Sequence, residues 1–479
     1  MTGAQIPKSV AAILRDMGYH PGAAPVQVTP AEAEPDEREY SVDDLNRKFA
    51  FVLVGSQALI VYQNPDAPTE ERLRFVRPDS FKLMFQNRMT EVTGHDGKIK
   101  PITWANRWLS DARRRQYEGL EFYPDSAGAD GTPGYLNLWT GFSVDPKPGG
   151  TYTVFKDHLL TNVCNGNPDT FKWLWAWFAH MVQRPRERPG TAIILSGGMG
   201  TGKTKVGEVF GSLIRTHHFV VDDPRYVTGQ FNAFMAGCLF LQAEEAVWAG
   251  DKAAEGRLRG LVTSERQMIE AKGVDPIRQP NYVRLLMTSN EPWIVAAGKD
   301  ERRFATFEVN ARCARNVDYF AEMDAELDSG GREALLADLL AFDLSTVNLR
   351  EIPKTGALLS QKQHSLDSID AWLMARLQDG APTRNHSKWP EYVETRLLFD
   401  DYIKESDRVG IKRRSAETMF GQRLAKALPG LRRRKMSVPG DADTYRRTYV
   451  YVLPSLSECR AMLDETFGQA IDWGENDDE

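Results

Sequence analysis

Only four cysteines occur among the 479 residues, Cys164, Cys238, Cys313 and Cys459, and no two of them stand in C-x-x-C spacing. That excludes a disulfide framework and a zinc site built on cysteine pairs, so all four are expected as reduced thiols in or near cores. Long apolar runs are missing as well: no stretch approaches the roughly 18 to 20 apolar residues a membrane helix needs. The first residues, MTGAQIPKSV, lack the basic start and apolar centre of a secretory signal, and a cytoplasmic location in a bacterial host cell is expected. Nor is there an excess of positive charge. Lys and Arg number 60 against 66 Asp and Glu, a net charge of −6, which excludes a protein that coats nucleic acid over its whole surface but leaves room for a local basic face. The length exceeds what one core serves, and about three domains are expected.

What is present is concentrated at TAIILSGGMGTGKT, residues 191 to 204. An apolar run, Ile193 to Leu195, opens into Gly197, Gly198, Gly200, Thr201 and Gly202 and closes on Lys203 and Thr204. This is the phosphate-binding P-loop pattern G-x-x-x-x-G-K-T. Its glycines let backbone N–H groups curl around a phosphate at the positive end of the following helix, expected over 205 to 213. Lys203 is expected to reach the β and γ phosphates of ATP, and Thr204 to hold Mg²⁺.

Composition divides the chain further. Residues 1–39, rich in Pro, Ala and acidic groups, read as a flexible segment. Residues 40–150 read as a small α+β domain with strands at 49 to 63 and 72 to 76 and a helix at 102 to 118. A helical lead-in follows at 151–190, where the tryptophans of PDTFKWLWAWFAHMVQRP spread over several faces of one helix and belong in a core. From 191 to 345 strands and helices alternate as in a doubly wound α/β domain. A linker is expected at 346–365, and residues 366–475 give helices at 366 to 378, 394 to 405 and 415 to 428 followed by a hairpin. That order suggests a winged-helix DNA-binding domain. Residues 476–479 read as an acidic tail.

Hydrolysis needs groups that hold the metal, polarise water and sense the γ phosphate. The strand-like run CLFLQAEEA ends in Glu244 and Glu245 at a spacing that suits a strand adjacent to the P-loop strand, with Glu244 toward Mg²⁺ and Glu245 as the base. The next run, RLLMTSNEP, ends in Asn290, whose amide can bond both water and phosphate. In KDERRFATFEV, Arg302 and Arg303 precede a strand, a place for an arginine finger that enters a neighbouring subunit's site. Between these runs Lys272 and Gly273 fall at a hairpin tip, from which a cation would grip a DNA backbone.

The order P-loop, E-E, Lys-Gly insertion, T-S-N and D-E-R-R-F resembles superfamily 3 helicases, most closely the phage, prophage and poxvirus primase-helicase branch. The resemblance covers roughly 150 to 475 and includes WFAHMVQRP, SNEPWIV, YVLPSLSECR and IDW. It implies an AAA+ type ATPase core in a ring, a hexamer, that translocates 3′ to 5′ on single-stranded DNA and opens forked DNA for replication of a phage, prophage or related mobile element. Two departures stand out. Many relatives carry Asp-Glu where this chain has Glu244-Glu245, and residues 1 to 150 offer neither paired catalytic aspartates between strands nor a Cys/His cluster. A helicase without its own primase activity is therefore expected, with 40–150 as a collar or as the surface that meets a primase or replication-protein partner.

Residues 404 to 435 gather Lys and Arg in an otherwise acidic chain. Ser415 is expected to cap a recognition helix that presents Arg423 and Lys426 one turn apart, while Arg432, Arg433, Arg434 and Lys435 line the wing. The competing function is a nucleotide-gated DNA-binding initiator or loader without processive unwinding.

Overall fold

A computed structural model describes residues 40–64, 66–67, 71–93, 97–229, 232–245, 252–270, 275–408, 415–439 and 445–474. The N-terminal segment 1–39, the tail 476–479 and the hairpin-tip Lys272 lie outside the described residues.

The first helix, α1 (Val42–Lys48), starts where the Ser41 hydroxyl accepts from Asp44 N and the Asp44 carboxylate accepts from Ser41 N, a reciprocal capping box. Strands β1 (Phe49–Val54), β2 (Gln57–Gln63) and β3 (Leu73–Val76) form an antiparallel meander. Helix α2 (Pro78–Met84), the hairpin β4 (Met89–Thr93) and β5 (Ile99–Thr103), and α3 (Trp104–Ser110) follow. The helix expected over 102 to 118 stops at Ser110. Asp111 is extended and its carboxylate accepts from Arg113 N, which turns the chain so that β6 (Gln116–Tyr117) can pair in parallel with β1. Pairing with a strand edge overrides the charged run's helix propensity. A small parallel pair, β7 (Gly119–Glu121) and β8 (Tyr135–Asn137), closes this region. Phe49, Phe81, Phe85 and Trp108 make its own core, whereas Ala50, Val52 and Val61 join the large core of the following α/β region.

The lead-in consists of α4 (Thr153–Asp157), a wider turn at His158–Val163 and α5 (Pro168–Gln183). Helix α5 is capped by Asn167, whose side chain accepts from Asp169 N and Thr170 N, and it buries Trp173, Trp175, Trp177 and Phe178. It shares a core with a five-stranded parallel sheet. Its strands are β9 (Ala192–Ser196), β10 (His218–Val221), β11 (Phe240–Glu244), β14 (Arg284–Ser289) and β15 (Phe304–Glu308), in the order β10-β11-β14-β9-β15. Helices α6 (Lys203–Ser212), α7 (Pro224–Thr228) and α8 (Lys252–Thr263) connect them, and β12 (Arg266–Ile269) pairs with β13 (Ile277–Pro280) as an antiparallel hairpin off the sheet. The strands read as near-continuous apolar runs because both faces of a parallel sheet are covered. Strand β14 lies between β9 and β11, so the two acidic residues do not end a strand adjacent to the P-loop strand. Spacing along the chain carries no record of that inserted neighbour.

Helices α9 (Val317–Glu326) and α10 (Arg332–Ala341) pack back on the sheet region. The expected linker at 346–365 contains α11 (Gly356–His364), capped by the Thr355 hydroxyl, which accepts from Leu358 N. Gln361 on this helix accepts from Ile294 N and Val295 N, so buried backbone donors after β14 hold it in place. A separate core follows, built from α12 (Ser368–Gln378), β16 (Tyr392–Glu394), α13 (Thr395–Arg408), α14 (Glu417–Ala427), β17 (Arg432–Pro439), β18 (Tyr445–Val452) and α15 (Leu456–Phe467). Its sheet is antiparallel in the order β16-β18-β17. Ser415 does not cap α14. Its amide donates to the Tyr402 hydroxyl, and Ala416 occupies the cap position without a side-chain bond.

Candidate nucleotide and DNA sites

The loop between β9 and α6 requires glycine at two positions in particular. Gly197 has φ 140 and a Cβ there would sit 2.6 Å from Val309 O; Gly202 has φ 89 and a Cβ would sit 2.7 Å from the His158 ring. Gly202 delivers the chain into α6 with its first amides free of intrahelical partners, a ready site for an anion. Thr201 is buried and its hydroxyl donates to Gly198 O. Gly200 O accepts from Arg315 N, and Arg315 itself has φ 60, so the segment after β15 braces the loop.

Lys203 is only 7% exposed, and its Nζ donates to Gly197 O at 2.8 Å, Gly198 O at 2.6 Å and Asn290 Oδ1 at 3.0 Å. Burial holds its ammonium below the usual lysine range, against the attraction of Glu245. Asn290 Nδ2 in turn donates to Glu245 Oε1 at 2.6 Å. The intervening strand therefore carries the amide that joins the P-loop lysine to the glutamate. Glu245 has φ 49, a left-handed conformation that is costly for a residue with a side chain and that accompanies its turn away from Glu244.

Glu244 belongs to a second chain of contacts. Gln242 Nε2 donates to Glu244 Oε1 at 2.6 Å and to Thr204 O at 3.2 Å, and Gln242 Oε1 lies 3.0 Å from His218 Nε2. Burial lowers the His218 pKa to about 4 and keeps the ring neutral. Gly207 permits this approach, because a Cβ there would meet Gln242 Oε1 at 2.0 Å. Gln242 and His218 went unnoticed in the sequence, yet a glutamine inside the apolar run CLFLQAE was a visible signal of a buried polar contact. His158, buried beneath Gly202 with its Nδ1 3.1 Å from Asn162 Nδ2, was missed as well.

Other expected residues stand apart from this corner. Arg302 and Arg303 precede β15 at the end of the sheet opposite the P-loop, a strand's length of about 15 Å away. Glu301 Oε1 accepts from both of their amides and lies 3.7 Å from Arg303 Nη1, while the Arg302 side chain is exposed and joins no ion pair among the described residues. The arms of the hairpin expected to carry Lys272 are β12 and β13. On α14, Lys426 is exposed, but Arg423 is held by Asp367 at 2.8 Å. Arg432, Arg433, Arg434 and Lys435 are exposed on β17.

Comparison with known proteins agrees with this architecture. The model of a family of unknown function, DUF5906, matches residues 195–303, from the P-loop strand to the paired arginines. No curated protein matches the chain. Among solved structures, the apo C-terminal region of NrS-1 (305–718) superposes with a TM-score of 0.58 at 15% identity over 85% of this chain and 96% of that one. An A form of the same region gives 0.58 at 15% identity over 86% and 98%. The two share a fold over most of their length. A JCV helicase bound to a small acetamide compound covers 48% of this chain and 65% of its own at 16% identity, with a TM-score of 0.28, too low for the folds to be equated.

Proposed function

We propose that the chain is an ATP-dependent DNA helicase of the superfamily 3 type, a ring-forming AAA+ ATPase that moves along single-stranded DNA during replication of a phage, prophage or related mobile element. The observation that carries this reading is the continuous contact from Lys203 through Asn290 to Glu245. It joins the phosphate-binding lysine to a carboxylate through one amide, the arrangement a water-activating site requires. Lys203 meets the β and γ phosphates in place of its loop carbonyls, Glu245 accepts the proton of the attacking water, and Asn290 orients both. A hydroxyl and a carboxylate are the oxygen donors that suit Mg²⁺, and Gln242 ties the Glu244 carboxylate to the backbone carbonyl of Thr204 at the start of α6. Thr204 and Glu244 would hold the ion, which when bound neutralises phosphate charge.

Arg302 is the finger of the pair. It is exposed and without an ion pair among the described residues, while Glu301 ties Arg303 to its own subunit. At the far end of β15 it serves a neighbouring copy's site rather than its own. Lys272 on the hairpin grips the DNA backbone within the ring, a hexamer by family resemblance. The C-terminal unit acts as a winged helix whose Lys426, Arg432, Arg433, Arg434 and Lys435 meet DNA, with Arg423 braced by Asp367. Residues 40–150 form a collar or partner-docking region, residues 191–345 the motor and 366–475 the DNA-binding unit.

The test is ATP hydrolysis and fork opening by the full chain. Lys203→Ala is expected to abolish both, and Lys272→Ala to abolish fork opening while sparing hydrolysis without DNA. Unchanged function in Lys272→Ala would favour the nucleotide-gated initiator or loader.

A further inference from the structure

Beyond the three-residue β16, strands β17 and β18 run on as a two-stranded ribbon. Their register sets Arg433, Lys435, Ser437 and Pro439 opposite Tyr451, Tyr449, Arg447 and Tyr445, so all eight side chains stand on one face. At its inner end α14 closes that face. Tyr451 is buried there, and a Cβ on Gly421 would lie 2.7 Å from its hydroxyl. Farther out the face is open, with Tyr449 47% and Tyr445 76% exposed. The Arg433 guanidinium lies 4.3 Å from the centre of the Tyr449 ring and the Lys435 ammonium 5.7 Å from it. The opposite face is engaged at Val438 and Val450, which are buried, and at Arg446, whose Nη2 donates to both Glu394 carboxylate oxygens at 2.6 and 2.7 Å, while Arg432 and Arg434 on it are exposed. Among the described residues, Arg433, Lys435 and Arg447 join no ion pair.

We infer that this ribbon face is a stacking site for an unpaired DNA strand, with bases against Tyr445 and the Tyr449–Arg433 pair and phosphates on Lys435 and Arg447. The inference rests on the proposed DNA-binding role of the C-terminal unit and deepens it by naming the form of DNA. Base faces within a duplex are hidden by stacking, so a duplex can use a tyrosine hydroxyl on a phosphate but leaves the ring face without a base to stack on. An unpaired strand offers each base face to an aromatic ring or a guanidinium.

The experiment measures binding of an oligothymidine strand and of a blunt hairpin duplex to the full chain without nucleotide, in a Lys272→Ala background that removes the other strand-gripping cation. Tyr449→Ala together with Tyr445→Ala is expected to weaken the single strand by about tenfold or more and to leave the duplex unchanged. Tyr449→Phe keeps the ring and is expected to keep the affinity. Photo-crosslinking with 5-iododeoxyuridine is expected to label Tyr445 or Tyr449. Equal losses on both DNA forms, or an unchanged single-strand affinity, would overturn the stacking site while leaving the basic wing standing. If replacing Arg432, Arg433 and Arg434 by Ala changes neither form, the DNA-binding role of the unit falls with it.

Discussion

The P-loop corner and the C-terminal ribbon handle charge in opposite ways. At the corner the lysine is buried and fully engaged, Glu244 accepts from Gln242 two residues earlier on its own strand, and Glu245 accepts from Asn290 just beyond the adjacent strand β14. On the ribbon, four consecutive cations stand in solvent without an ion pair among the described residues. A buried, hydrogen-bonded charge cannot relax when its partner is lost, so the corner is expected to respond steeply to single substitutions. Exposed cations act additively and through screening, so the ribbon is expected to respond gradually and with salt.

Substitutions test this contrast in descending order of effect. Arg302→Ala is expected to lower ATP hydrolysis by about a thousandfold or more, the worth of an arginine finger, and Arg303→Ala by much less. Mixing inactive Arg302→Ala with inactive Lys203→Ala subunits is expected to restore hydrolysis, because some interfaces then pair an intact loop with an intact finger; no restoration would remove the shared site. Asn290→Ala separates Lys203 from Glu245 and is expected to cost about a hundredfold in kcat with nucleotide affinity little changed. A large loss of affinity instead would mean that the amide holds the loop together and does not position water. On the ribbon, each of Arg432, Arg434 and Lys435 changed to Ala is expected to lower the slope of log affinity against log salt by about 1 per lost phosphate contact. A single change that abolished binding would erase the contrast.

The smallest effect is acid sensitivity of the corner's surroundings. Burial lowers the pKa of His158, His217 and His218 to about 4 and that of His180 to about 3, against 6.5 when exposed. Between those values the unfolded chain binds the protons and the folded chain does not. This stabilisation is thus complete above about pH 6.5 and is lost as the pH falls toward 4. The thermal midpoint is expected to drop over that interval, and His218→Gln to reduce the drop; a flat profile would show that these rings protonate without unfolding.

Much of this was legible in the chain. The glycines of the P-loop, the apolar runs of a parallel sheet and the positions of Lys203, Glu245 and Asn290 follow from local residue chemistry. Strand order does not: β14 enters between β9 and β11 from more than 80 positions along the chain, and only that insertion brings Asn290 between Lys203 and Glu245. The same holds for Ser415, whose amide is taken by Tyr402, and for α11, which exists where a linker reads naturally because Gln361 satisfies backbone donors after β14. Tertiary partners decided each of these, and a sequence window contains none of them.

The most direct test of the central claim, that ATP turnover at this corner drives DNA movement by copies acting together, is the rate of fork opening as Lys203→Ala subunits are mixed into wild-type protein. The account predicts a loss steeper than the fraction of altered subunits. A loss in simple proportion to that fraction would contradict it.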